Sequence, residues 1–150
     1  MQMAEPPLFA HPDGAPSDSG KSRARRARWT FDLAANTDSF ERSYLDDLAG
    51  EFPRIDDRRA GLVNRHGWHA CASARGEARG FFDGLAHIDA NGRRATHFLP
   101  DGDATSEPVF VARAPDAAEG DGWLLATISG PRLWRPPHLA ASGIRNDVSI

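Results

Sequence analysis

Two dipeptides, Asn91-Gly92 and Asp101-Gly102, constrain this chain more than any other feature. Asn, Asp and Gly accept positive φ with little strain, so each pair marks a tight reversal of direction. Around them the apolar residues fall into short runs, Phe81 to Ile88, Arg94 to Leu99, Pro108 to Arg113 and Trp123 to Ser129. Short strands recurring every roughly 10 to 14 residues predict an antiparallel meander. The expected class is therefore all-β. No exact internal repeat is visible, so spacing leaves a sandwich and a propeller blade equally open.

Upstream the pattern is less regular. Trp29, Phe31 and Leu33 alternate with Thr30 and Asp32, the period of a half-buried strand over 29–34. Phe40, Tyr44, Leu45 and Leu48 have helix-like spacing in a segment short and acidic enough to be a loop with one helical turn. Trp68 to Ser73 reads as a strand, followed by a Gly-rich turn at Arg75 to Gly80. Between them, Glu51 to Trp68 packs a carboxylate, a Phe-Pro pair and a charge cluster into one segment. A residue before proline is pushed towards an extended conformation and proline fixes its own φ, so Phe52-Pro53 is expected to hold Glu51 at a defined place. Glu107-Pro108, ahead of the apolar Val109-Phe-Val111, repeats the device. The two carboxylates, Glu51 and Glu107, are candidates to converge on one site.

Composition sets the outer limits. With 150 residues the chain is long enough for one domain and a modest core, and 40% apolar residues, 14 Gly and 11 Pro describe a turn-rich chain. A net charge of -3 gives no global attraction to nucleic acid or anionic lipid. The basic run Lys21 to Arg28 lacks interleaved aromatics, so it is expected to be a solvated edge, without a nucleic-acid partner. No apolar run approaches the roughly 18 to 20 residues of a membrane span, and Met1 to Ala10 has no signal-peptide pattern. A cytoplasmic chain is expected. Cys71 has no partner for a disulfide and reads as a small buried residue. Residues 1–28 read as a disordered basic lead-in, 29–130 as the structured region, and 131–150 as a loosely attached, divergent tail.

A succession of motifs then acquires a meaning. Trp29-Thr-Phe-Asp-Leu-Ala34, Glu51-Phe-Pro-Arg-Ile-Asp56, Gly61 with Arg65-His-Gly-Trp68, and Asp83-Gly-Leu-Ala-His-Ile-Asp89 are followed by Pro100-Asp-Gly102, Glu107-Pro-Val-Phe-Val111 and Asp121-Gly-Trp-Leu-Leu125. In order and spacing, from about Trp29 to Ser129, they resemble landmarks of the carotenoid cleavage oxygenase family. That family includes the lignostilbene dioxygenases and the retinal pigment epithelium retinoid isomerase.

The resemblance implies a few blades of a seven-bladed β-propeller, incomplete in this chain. It also implies a family chemistry, in which Fe(II) on the propeller axis supports O2 cleavage of carotenoid, apocarotenoid or stilbene double bonds to aldehydes. The apolar polyene or stilbene is the expected partner. In the family four histidines hold the iron and glutamates accept hydrogen bonds from those imidazoles, which fixes ring orientation and tautomer. Glu51 matches the glutamate of the family's Glu-Phe-Pro motif and Glu107 that of its Glu-Pro-x-Phe motif. None of the family's histidine motifs occurs here, so His11, His66, His87, His97 and His138 are expected to be surface or turn residues. The expectation is that Fe(II) is not bound by this chain alone and that it has little or no dioxygenase activity. The alternative is a non-catalytic β-domain that associates with a partner chain through open sheet edges.

Overall fold

The computed structural model describes residues 24–131 together with 141 and 142. Residues 1–23 of the lead-in expected at 1–28, with His11, and, apart from Pro131 and Ala141–Ser142, the tail expected at 131–150, with His138, lie outside the described residues. Among the described residues ten strands make three antiparallel sheets. The largest runs in sequence order, β1 (Arg25–Thr30), β2 (Glu41–Arg54), β3 (His66–Cys71), β4 (Gly84–Asp89) and β5 (Arg94–Phe98). The order is an antiparallel meander, in which the Asn91-Gly92 turn joins β4 to β5, while the strands expected after Asp101-Gly102 lie in the other sheets. β7 (Val109–Ala112) and β8 (Gly122–Leu125) pair in a second sheet with β10 (Ala141–Ser142), and β6 (Ala104–Thr105) pairs with β9 (Ile128–Ser129).

The turns form for the reasons the dipeptides suggest. Gly92 has φ of 78° and Gly102 of 90°, and the Asp89 carboxylate accepts from the amides of Asn91 and Arg93 at 2.8 and 2.9 Å. Three expectations are corrected. The strand placed at 29–34 is displaced to Arg25–Thr30, so half of the basic run is part of the sheet. Helix-like spacing at 37–48 belongs instead to the long strand β2, because pairing with both β1 and β3 outweighs local periodicity. The turn expected at 75–80 is a short helix, α1 (Ala74–Arg79), capped by the Ser73 side chain at one end and by left-handed Gly80, φ 74°, at the other.

The two larger sheets meet on Trp68. Its ring, 3% exposed, lies flat on Phe110 at a centroid distance of 4.3 Å and an interplanar angle of 8°. Leu85, Leu124 and Ala126 complete this cluster. Odd-numbered Gly67, His69 and Cys71 face the other side of β3, where small residues let side chains lie close to the backbone. Cys71 is buried, as its sequence context suggests, and burial pushes its thiol up to about 12.

Candidate functional site

Glu51 stands at the break in β2. Opposite it, β3 advances two residues from Ala70 to Trp68 while β2 advances three from Glu51 to Arg54, so Phe52-Pro53 is a β-bulge. Phe52 is not extended: its φ is 56°, and among the described residues it is the one non-glycine with positive φ. The bulge overrides the ordinary preference of a residue before proline, since the extra residue has to turn the strand without a ladder partner. Proline fits here because its missing N–H costs no ladder bond at a bulge. Glu51 itself lies just before this bulge. It is the last residue paired to β3 before the break, it is exposed, and its carboxylate has no hydrogen-bond partner among the described residues.

Glu107 reaches the same bulge from the other sheet. Its Oε1 accepts from Arg54 Nη1 at 3.1 Å, and Arg54 lies three residues beyond Glu51. One arginine thus ties the two segments that carry the predicted glutamates. Pro108, buried behind Glu107, fixes that segment before β7 begins.

The charge cluster after the bulge is a clamp. The buried Asp56 carboxylate accepts from Arg58 Nε at 3.0 Å and Nη2 at 2.6 Å, and Arg58 chiefly holds the acid below the usual carboxylate range. Arg58 Nη1 also donates to the carbonyls of Ala114, Pro115 and Ala117 at 3.2, 2.9 and 3.1 Å. Glu119 of the same loop accepts from the amides of Arg65 and His66 at 2.5 and 3.0 Å. These contacts join the segment carrying Glu51 to the second sheet.

The histidines are not all at the surface. His97 is exposed in β5, but His87 is buried and its Nε2 lies 2.9 Å from His66 Nδ1, with the rings stacked at 5.1 Å. One ring donates and the other accepts, so the pair is neutral on at least one side. Burial first, and then His66, lowers the pKa of His87. His69 is 1% exposed and was given no role by the motifs. Cross-strand register makes the pair, and nothing in the spacing of His66 and His87 reveals it.

Whether these donors suit a non-haem iron is decided by their number and direction. Two imidazoles are turned on each other, His69 lies apart on the opposite face, and no group of three or more His, Cys, Asp or Glu among the described residues is placed to hold a metal. They do not make an iron site among themselves.

The antiparallel sheets, their sequential order and their joint core define an open portion of a β-propeller oxygenase fold. The chain belongs to the Retinal pigment epithelial membrane protein family, the carotenoid and stilbene cleavage oxygenases, which it matches over residues 2–133. The match therefore begins well before Trp29. The chain is 37% identical to lignostilbene-alpha,beta-dioxygenase isozyme III of Sphingomonas paucimobilis over 81% of this chain and 27% of that one. Isoeugenol monooxygenase of Pseudomonas nitroreducens is 31% identical over 80% and 27%. The crystal structure of Pseudomonas brassicacearum lignostilbene dioxygenase superposes with a TM-score of 0.68 at 32% identity, over 78% of this chain and 26% of that one. The chain spans about a quarter of the length of the curated relatives it matches. No helix among the described residues is long and apolar enough to cross a membrane.

Proposed function

We propose that this chain is the part of an alkene-cleaving oxygenase that orients iron-bound imidazoles through Glu51 and Glu107, and that alone it does not turn over substrate. The observation that carries this reading is Glu51 itself, an exposed carboxylate without a partner among the described residues, held beside a strained bulge. Positive φ at a non-glycine residue costs about 1 to 3 kcal/mol and persists where the surroundings over-determine it, commonly at functional sites. A carboxylate accepting the outer N–H of a metal-bound imidazole needs such a fixed position. Glu107, bound by Arg54 through one oxygen, keeps its other oxygen for the same use. The substrates this reading favours are aryl-conjugated alkenes of the kind named in the lignostilbene and isoeugenol relatives.

The test is iron analysis of the purified chain together with turnover of a hydroxystilbene under O2. Substoichiometric iron and no aldehyde product are expected; stoichiometric Fe(II) with turnover would overturn the proposal.

A second reading, association as a non-catalytic β-domain, is favoured by the apolar tip of the β1–β2 hairpin. Trp29 and Phe31 are each 55% exposed and Leu33 96%, and both Trp29 and Phe31 pack on Phe40. Contiguous exposed apolar surface favours contact with another surface. Light scattering after size exclusion separates the two: a monodisperse monomer removes this reading and leaves the first untouched.

A further inference from the structure

The basic residues that open β1 line a cavity of about 320 Å³ beside the bulge. Arg25, Arg26 and Arg28 contribute three positive charges, against which the cavity sets the single carboxylate of Glu51. His69, from β3, also lines it and is 1% exposed. Two glycines allow this arrangement. A Cβ on Gly50 would come 2.5 Å from His69 Cδ2, and one on Gly67 would come 1.7 Å from Arg26 Nη2, so the imidazole and the guanidinium each lie close against the sheet.

The polar atoms so buried are unsatisfied. Both ring nitrogens of His69 and Nη1 of Arg26 have no hydrogen-bond partner among the described residues. Native folds rarely leave such groups unpaired. Asp46, whose charge also acts on His69, does not reach them with a hydrogen bond: its Oδ1 is taken by Arg94 and the Leu48 amide, and its Oδ2 has no partner among the described residues. Arg26 Nη1 and one His69 ring nitrogen are unmet N–H donors in a positive surrounding, the other ring nitrogen of the neutral imidazole being an acceptor, and a guanidinium fork matches two oxygens at once.

We propose that this cavity binds a small oxyanion, a carboxylate or a phosphate, between Arg26, Arg28 and His69. Burial first, then Arg26, depresses the imidazole to about 4, while Asp46 opposes and Arg94 adds to the depression. An anion seated among these charges works against Arg26 and Arg94 and in the same direction as Asp46. It therefore raises the His69 pKa, and by linkage binding strengthens as pH falls towards that titration.

The imidazole signals of the full chain, followed by nuclear magnetic resonance, test this. Sodium phosphate and sodium acetate are titrated separately at ionic strength held constant with sodium chloride. A saturable shift of the His69 signals and a rise in its apparent pKa are expected. Arg28→Gln, at an exposed position where the fold is not at stake, weakens the response roughly tenfold, as loss of one charge-assisted contact should. Response to phosphate alone, to acetate alone or to both assigns a phosphate, a carboxylate or a general oxyanion site. Overturning results are His69 signals that move with neither anion, or a response that Arg28→Gln leaves unchanged.

Discussion

Trp68→Ala is the substitution that most directly tests the packing of the two larger sheets. The ring is 3% exposed and stacks on Phe110 at 4.3 Å, with His87 at 5.5 Å on its own sheet. Truncating a buried Trp to Ala costs about 3 to 5 kcal/mol, through lost transfer energy and the cavity left behind. A small domain is stable by only about 5 to 15 kcal/mol, so the loss is a large share of its stability at the low end of that range and about a fifth to a third at the high end. With a urea m-value of about 2 kcal/mol/M, a loss of about 4 kcal/mol lowers the midpoint by about 2 M. Far-UV circular dichroism is the suitable probe, because Trp29, Trp123 and Trp134 still emit when Trp68 is gone and fluorescence would not report the same environment in both proteins. Phe110→Ala and the double variant complete a cycle whose coupling should be about 1 kcal/mol, the usual worth of an aromatic pair beyond its area. A single loss under about 1 kcal/mol, or no coupling, refutes a core shared by the two sheets.

Two further outcomes are expected. His69, at about 4 in the fold against 6.5 unfolded, makes the unfolded chain bind more protons between those values. Stability should therefore be full above about pH 6.5 and fall as pH drops towards 4, by up to about 3 kcal/mol, and urea titrations of His69→Gln across that window should be flatter. Gly80→Ala should lose about 1 kcal/mol in thermal unfolding, since nothing lies within 4 Å of the new methyl and the cost is that of φ 74° alone.

The legibility of the chain divides along one physical line. Asn91-Gly92 and Asp101-Gly102 encode their turns locally; the strands across Asn91-Gly92 pair as a hairpin, whereas those across Asp101-Gly102 enter different sheets. The Glu-Phe-Pro and Glu-Pro motifs likewise single out two segments that the fold ties through Arg54 and Glu107. The conformation of Phe52 is not legible in the sequence because the bulge is a mismatch between two strands, and β2 alone does not record how far β3 advances opposite it. The helix-like spacing at 37–48 failed for the same reason, as β1 and β3 supply partners that no window of one segment contains.

The sequence by itself therefore determined the all-β class and the family and singled out Glu51 and Glu107 as candidates, since these rest on local turn chemistry and ordered motifs. Only the tertiary structure decided that Asp56 and Arg58 clamp the distant 114–119 loop, that His66 and His87 pair, and that His69 is buried beneath the basic opening of β1. Each depends on register and on which face of β3 a residue occupies, and a shift of one residue would exchange those faces.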